Sequence, residues 1–197
     1  MTNKKNIIQF VACDCVGKTS TLMTYYEGQD PYPRIPTVYD CTEQEFVCKK
    51  KKYFVEFWDY VDYGDREKLR IYQFKKSEMF VLLYHPFKPH TFKKLRTVFL
   101  DVIRSVCEDP YLVVVATFSH QWEDEEILNK MEKENKKPIM REQGIEFNKE
   151  IKGLGFFEVS TKKVNELQQV FQQILTVFFE EKQKRKKKNS SFFSKFF

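Results

Sequence analysis

The chain has 197 residues, of which 42% are hydrophobic and 31% charged, and its formal net charge is +6. This length supports one domain with a full core. The sequence contains no run of 18 apolar residues, so no membrane-spanning helix is predicted. Five cysteines without a framework spacing are expected to be reduced intracellular thiols, without disulfides or a metal site.

The positive charge is concentrated in the last part of the chain. Residues 182–197 contain seven Lys and Arg and no Asp or Glu, so the rest of the chain is close to neutral. A basic tail on a neutral body indicates an anionic surface as the partner of the tail alone. The pattern argues against a nucleic-acid-binding domain.

Apolar runs and amphipathic patterns alternate along the chain. The runs at 79–85 and 111–117 are continuously apolar, as in strands that are buried on both faces. This alternation predicts an α/β fold, an open six-stranded, mostly parallel sheet with helices on both faces. The predicted strands are 6–12, 43–48, 53–58, 79–85, 111–117 and 155–159, and the predicted helices are 18–27, 66–74, 90–107, 141–151 and 164–180.

The first predicted strand leads through a tight loop into the first predicted helix, which is the layout of a phosphate-binding loop. Gly17 lets the backbone approach an anion, Lys18 reaches the outer phosphates, and the Thr19 hydroxyl can bind Mg²⁺. The usual first glycine is replaced by Ala12. Asp14 places a carboxylate where phosphate oxygens are expected, so the loop indicates a nucleotide-binding fold with unusual nucleotide use.

Two segments depart from the alternation. The predicted hairpin turns at Lys49–Lys52, which is either a solvated turn or a weak contact with acidic lipid or protein. Residues 119–140 are polar and charged, and they predict an exposed, partly helical insertion between a buried strand and the next helix.

Three motifs together resemble the Ras-like small GTPases, and most closely their Rho/Rac branch. They are the Gly-Lys-Thr loop, the string Ile35-Pro36-Thr37-Val38-Tyr39-Asp40, and Phe57-Trp58-Asp59. The resemblance covers about residues 5–182 and implies a single Ras-like P-loop G domain at 1–182, with a Rho-type insert at about 119–140. The tail, 183–197, is expected to be disordered.

The resemblance implies Mg²⁺ with GTP or GDP as the cofactor. Thr19, Thr37 and Asp59 would form the metal site. The alternative interpretations are that Thr37 only favours a strand and that Asp59 only caps a helix. The residues expected to bind nucleotide are Asp14, Cys15, Val16, Gly17, Lys18, Thr19, Ser20, Thr37, Thr117, Phe118, Ser160, Thr161 and Lys162.

The catalytic residues of the family are replaced, and no catalytic residue is assigned here. Asp62 stands for the glycine that meets the γ-phosphate, and Tyr63 stands for the glutamine that orients the attacking water. Asp14 adds a repelling charge near the γ-phosphate. Arg34 has the spacing of a cis arginine that stabilises transferring phosphate, or is a solvated arginine.

The base-reading motif departs furthest from the family pattern, Asn/Thr-Lys-x-Asp. Residues 117–120 read Thr-Phe-Ser-His, in which Phe118 can stack on a base and His120 cannot replace the bidentate carboxylate. The third base-contacting motif of the family is largely retained, as Ser160–Lys162. In the family an aromatic residue of switch I covers the base, and Asp30 occupies that position here, so this cover is missing.

Two functions follow from these replacements. The first is a Rho-like GTP-binding signalling protein with impaired or absent hydrolysis, which is expected to be monomeric. It would contact effectors through switch I (Thr37, Val38, Tyr39 and Asp40) and, by resemblance, regulate the cytoskeleton. The second is a pseudoGTPase, a binding module that does not cycle nucleotide. Whether the chain is an enzyme is left open by the sequence.

The tail predicts reversible membrane contact of a cytoplasmic protein. No cysteine follows Cys107 in the sequence given, so lipid attachment to the tail is not expected. Basic residues at 184–188 and the four phenylalanines that follow suit an anionic bilayer surface. The alternatives are a disordered tail or a nuclear-import-like basic run.

Overall fold

The computed structural model describes residues 5–13, 15–32, 42–59 and 67–193. In this part of the chain six strands and seven α-helices form one α/β domain. The strands are β1 (Asn6–Val11), β2 (Thr42–Cys48), β3 (Lys51–Asp59), β4 (Met79–Tyr84), β5 (Tyr111–Ala116) and β6 (Phe156–Glu158). The helices are α1 (Lys18–Glu27), α2 (Glu67–Lys76), α3 (Pro89–Lys94), α4 (Leu100–Val106), α5 (Glu125–Lys133), α6 (Arg141–Glu150) and α7 (Val164–Phe193).

The sheet has the strand order β2-β3-β1-β4-β5-β6. β2 and β3 form an antiparallel hairpin, and every other pair is parallel. This confirms the predicted six-stranded, mostly parallel sheet. Parallel strands end at one edge of the sheet, so the loops that follow β1, β4 and β5 are brought together there.

Helices cover both faces of the sheet. Phe10 of β1 and Phe80 of β4 point to opposite faces, because Phe10 lies in register with Val81 and side chains alternate along a strand. Phe171 of α7 contacts Phe10, and Phe74 of α2 contacts Phe80. α7 and α1 therefore cover one face and α2 the other.

The ring of Phe171 is the centre of the aromatic core on the α7 face. It is 2% exposed and stacks on Tyr25 of α1 with ring centroids 4.2 Å apart. Phe10 and Phe57 each lie with ring centroids 5.6 Å from it. One side chain therefore joins α7 to α1 and to two strands.

The sequence predicts one continuous helix over 90–107, but the structure divides this region into two α-helices. A π-helical turn, Leu95–Phe99, separates α3 from α4. The insertion between β5 and α6 contains a 3₁₀ turn at Ser119–Glu123 followed by α5. The Asp124 carboxylate caps α5 by accepting hydrogen bonds from the backbone N–H groups of Glu126 and Ile127.

Helix α7 is longer than the predicted helix at 164–180. It continues to Phe193, so the described part of the tail is helical, which differs from the expected disorder. Lys, Arg, Gln and Glu are good helix formers, and Glu181 pairs with Lys184 and Arg185 at helical spacing. Among the described helices none is both long and apolar enough to cross a bilayer.

Two basic residues of this extension hold it against the sheet. Lys182 Nζ donates to Asn6 Oδ1 at 2.6 Å and also pairs with Glu78. Arg185 Nη1 lies 2.7 Å from Asp109 Oδ2, and its guanidinium lies 4.1 Å from the Tyr111 ring centroid. These contacts lie at the edge of the sheet where β1, β4 and β5 begin.

Gly144 on α6 is required by close packing. A Cβ atom there would lie within 2.5 Å of Tyr84 Oη and closer still to Phe156 Cε2. We expect Gly144→Ala to destabilise the protein by about 1–3 kcal/mol, although alanine favours a helix by about 1 kcal/mol. Urea unfolding followed by circular dichroism measures this. Glu146→Ala, at an exposed position of α6, is the control and is expected to change stability by less than about 0.5 kcal/mol.

Candidate phosphate- and base-binding site

The loop between β1 and α1 presents the backbone N–H groups of a helix start. Gly17 precedes α1 in the left-handed conformation, with φ of 76°, and its carbonyl accepts the first helical hydrogen bond from Thr21 N. The N–H groups of the first turn have no acceptor within the helix, so they favour an anion beyond its end. On the other side of the loop, Lys88 Nζ donates to Cys15 O at 3.3 Å.

One buried carboxylate contacts both of the loop side chains that were predicted to act on phosphate and metal. Lys18 Nζ donates to Asp59 Oδ1, and Thr19 Oγ1 donates to Asp59 Oδ2 at 2.6 Å. The Asp59 side chain is 1% exposed and that of Lys18 is 10% exposed. The structure therefore brings Lys18, Thr19 and Asp59 together from the start of α1 and the end of β3.

These residues fit a Mg²⁺–nucleotide. A hydroxyl and a carboxylate are hard oxygen donors, which Mg²⁺ prefers, and a lysine with free helix N–H groups suits phosphate oxygens. The described residues contain no cluster of three or more His, Cys, Asp or Glu that could hold a metal.

A cavity of about 310 Å³ lies beside the loop, which is within the range of small-molecule sites. It collects residues from four separate segments of the chain. The lining residues are Gly17, Ser20, Thr21, Asp30, Tyr32, Thr117, Phe118, His120, Val159, Thr161 and Lys162.

The Phe118 ring forms one wall of this cavity and is held from two sides. It stacks on His85 with ring centroids 4.3 Å apart and an interplanar angle of 15°. Its edge covers Gly17, where an added Cβ would lie 3.1 Å from Phe118 Cε2. Phe118 itself has a left-handed backbone, with φ of 56°. The predicted stacking residue therefore also packs on the phosphate loop.

His120 forms a second wall with residues from the loop after β6. Its Nδ1 lies 2.7 Å from Ser160 Oγ, and Ser160 Oγ accepts the backbone N–H of Lys162 at 3.1 Å. Burial and the nearby Lys162 charge lower the pKa of His120. Thr117 is turned toward the sheet, because its hydroxyl donates to Tyr84 O at 3.0 Å.

The structure places only part of the predicted site. Gly17, Ser20, Thr117, Phe118, Thr161 and Lys162 line the cavity, Ser160 supports His120, Cys15 lies in the loop, and Val16 is buried below it. Asp14, Arg34, Thr37, Val38, Tyr39, Asp40, Asp62 and Tyr63 lie outside the described residues. Those predictions stay predictions.

The lining residues Thr21 and Val159 were missed from the sequence, and so were two residues that contact the site from behind, His85 and Lys88. The latter two follow β4, whose continuous apolar run marks a central strand of the sheet. Side chains just beyond the carboxyl end of such a strand face the ligand crevice in parallel sheets. Their position after β4 was therefore the signal that could have identified them.

We expect the buried His85 to make stability depend on pH. It is 4% exposed, its Nδ1 accepts the Phe87 N–H at 3.3 Å, and burial and Lys88 lower its pKa to about 4. The unfolded chain binds the proton below about pH 6.5 and the folded chain does not. Stability should therefore fall as pH falls from 6.5 to 4, by at most about 1.4 kcal/mol per pH unit from this group.

Urea unfolding of His85→Asn between pH 4 and 7 measures this effect. The variant should show a shallower loss of stability than the parent across this window. His90→Asn, at an exposed position, is the control and should retain the parent's slope. Equal slopes for all three proteins would contradict a neutral, buried His85.

The comparison with known protein families gives a match that covers most of the chain. The model described as Ras family matches residues 8–180. The matched region includes the phosphate loop, Asp59 and both walls of the cavity.

Proposed function

The chain belongs to the Ras family of small GTP-binding proteins, and on that premise we propose that it is a Rho-like signalling protein that binds nucleotide with Mg²⁺ and hydrolyses GTP slowly or not at all. The observation that carries this proposal is the joint contact of Lys18 and Thr19 with Asp59. These three residues are the ones that would hold phosphate and metal. The residues that would time hydrolysis, Asp62 and Tyr63, differ from the family pattern.

The residues have distinct roles in this proposal. Thr19 and Asp59 would hold Mg²⁺, which when bound neutralises phosphate charge. Lys18 and the N–H groups that begin α1 would hold the phosphates. Tyr63 carries no carbonyl acceptor and cannot orient water as glutamine does, and Asp62 repels phosphate. Binding is therefore retained while hydrolysis is impaired.

The Rho-like assignment is supported by the insertion between β5 and α6. This segment contains a complete, capped helix, α5, where Rho proteins carry an extra helix. Switch I, at Thr37–Asp40, carries the Rho-like string and is the proposed effector surface. It lies outside the described residues.

A pseudoGTPase is the second candidate, and one observation favours it. The Lys18–Asp59 ion pair and the Thr19–Asp59 hydrogen bond satisfy the loop side chains without any nucleotide. A site that is satisfied internally loses these contacts when a phosphate binds. The affinity for nucleotide therefore depends on how strongly phosphate and Mg²⁺ compete with the Asp59 carboxylate for Lys18 and Thr19.

Identification of the nucleotide extracted from purified protein separates the two candidates. A bound nucleoside triphosphate, GTP turnover far below that of an ordinary small GTPase, and loss of nucleotide in Thr19→Ala but not in Thr19→Ser would support the proposal. Ordinary turnover would contradict the assigned effect of Tyr63. No extracted nucleotide and no thermal shift with Mg²⁺–GTP would favour the pseudoGTPase.

We also propose that this cytoplasmic protein associates reversibly with anionic membranes through a basic surface, defined as the exposed lysines Lys50, Lys51, Lys184, Lys186, Lys187 and Lys188. The support is one contact, in which Lys49 Nζ lies 2.8 Å from Glu180 Oε1. This pair holds the β2–β3 turn against α7, so two lysine runs that are separate in sequence lie side by side. Each lysine near an anionic leaflet contributes about 1 kcal/mol.

Vesicle pelleting tests this surface. The control is Lys182, a lysine of the same helix that packs against the sheet. Substitution of Lys184, Lys186, Lys187 and Lys188 by glutamine should reduce pelleting with phosphatidylserine vesicles at least tenfold. Lys182→Met should leave pelleting unchanged and lower stability by about 1–3 kcal/mol, because Asn6 and Glu78 lose a largely buried partner. Equal pelleting of the glutamine variant and the parent would overturn the proposal.

A further inference from the structure

The wall of the cavity at His120 contains a partly buried hydrogen-bond chain whose direction can be determined. Ser160 is 3% exposed, and its hydroxyl oxygen has two neighbours. The Lys162 N–H donates to it at 3.1 Å, and His120 Nδ1 lies 2.7 Å away. A hydroxyl has one proton to donate and two lone pairs to accept with. The Lys162 N–H occupies one of these lone pairs.

The proton of the Ser160 hydroxyl has only one acceptor within the described part of the chain, which is His120 Nδ1. If Nδ1 carried a proton and donated it, the Ser160 proton would be buried without an acceptor, which proteins avoid. Ser160 therefore donates to Nδ1, so Nδ1 is unprotonated.

The other ring nitrogen of His120, Nε2, then carries the proton of the neutral imidazole. Burial and the charge of Lys162 both lower the pKa of this ring, which keeps it neutral near pH 7. Nδ1 is taken up by Ser160, and His120 lines the cavity. The polar group that the residue has left for a ligand is an N–H donor.

We propose that this site reads a nucleotide base with a donor, His120 Nε2–H, where the family reads guanine with a carboxylate acceptor. The site would then take nucleoside 5′-phosphates whose base offers an acceptor at that edge, such as N1 of adenine, at the expense of guanine. This inference rests on the proposed function, because it presumes that a nucleotide occupies the loop and the cavity.

The hydrogen-bonding edges of the bases decide the preference. Guanine presents two donors there, N1–H and the N2 amino group, and both would face the Nε2–H donor without an acceptor. Adenine presents N1, an acceptor. A site that hydrogen-bonds one base edge rejects a base that leaves its polar groups unpaired. The Phe118 face adds stacking, which does not distinguish between bases.

The inference is tested by titrating fluorescent mant-ADP and mant-GDP, with Mg²⁺, into two full-length proteins. These are the parent and the His120→Asp variant. The parent should bind mant-ADP at least as tightly as mant-GDP. His120→Asp should tighten mant-GDP at least tenfold and weaken mant-ADP. His120→Phe is the matched control, since it removes the donor and keeps a planar ring, and it should weaken mant-ADP without a gain in mant-GDP.

The ¹⁵N chemical shifts of the His120 ring provide an independent measurement that requires no ligand. They should show the Nε2–H form in the parent, and Ser160→Ala should shift the balance toward Nδ1–H. A parent that prefers mant-GDP by a hundredfold, or an Nδ1–H ring, would overturn the inference and leave the proposed function standing. Failure of every variant to bind either nucleotide would overturn both.

Discussion

Replacing Lys18 by methionine is expected to lower the free energy of unfolding by about 3–5 kcal/mol and to abolish nucleotide binding. Asp59 has a side chain that is 1% exposed, and among the described residues Lys18 is the cation that pairs with it. Removing one partner of a buried ion pair leaves an uncompensated charge, which is destabilising by that amount. In the proposed function the same lysine reaches the outer phosphates, so we expect binding to be lost as well.

Urea unfolding and mant-nucleotide titration measure the two effects. Lys88→Met is the matched control, since its Nζ contacts the same loop at Cys15 O from an exposed position, and it should change stability by less than about 0.5 kcal/mol. Lys18→Met combined with Asp59→Asn should recover much of the lost stability without restoring binding. A loss below about 1 kcal/mol for Lys18→Met would show that Asp59 does not depend on this partner.

Replacing Phe171 by alanine is expected to destabilise the protein by about 3–5 kcal/mol. This ring is 2% exposed and contacts three other aromatic rings, those of Tyr25, Phe10 and Phe57. Truncation removes the buried apolar surface and leaves a cavity between α7, α1 and the sheet. It also removes stacking, which contributes beyond the buried area.

The measurement is again urea unfolding, with Tyr72→Ala as the control. Tyr72 on α2 is 55% exposed, and the ammonium of Lys76 lies 4.2 Å from its ring centroid. Its loss should therefore lower stability by at most about 1 kcal/mol. Comparable losses for Phe171→Ala and Tyr72→Ala would mean that α7 does not depend on this aromatic cluster.

The strands and the phosphate loop could be predicted from the sequence because their signals are local. The apolar runs of β4 and β5 are continuous, and the loop lies between a strand and a helix start. The meeting of Lys18 and Thr19 with Asp59 also follows from topology, because β1 and β3 are parallel neighbours in register at Phe10 and Asp59.

The contacts that build the walls of the cavity could not be predicted, because they join residues that are distant in the sequence. His120 and Ser160 are separated by 40 positions, and the stacking of Phe118 on His85 joins the ends of two strands. The helical extension of α7 was missed for another reason. Lys182 and Arg185 resemble their exposed neighbours in composition, and only the folded chain shows that they pair with Glu78 and Asp109.

The stack of Phe118 on His85 also limits how the site can be altered. Phe118 lines both the base cavity and a second, open cavity that residues of α5 border, including Ile127 and Met131. Exchanging Phe118 for the family lysine would uncover Gly17 on one side and His85 on the other. A guanine site is therefore more readily engineered at His120 than at Phe118. Phe118 packs on both Gly17 and His85 and lines both cavities, so its replacement would disturb more than base recognition.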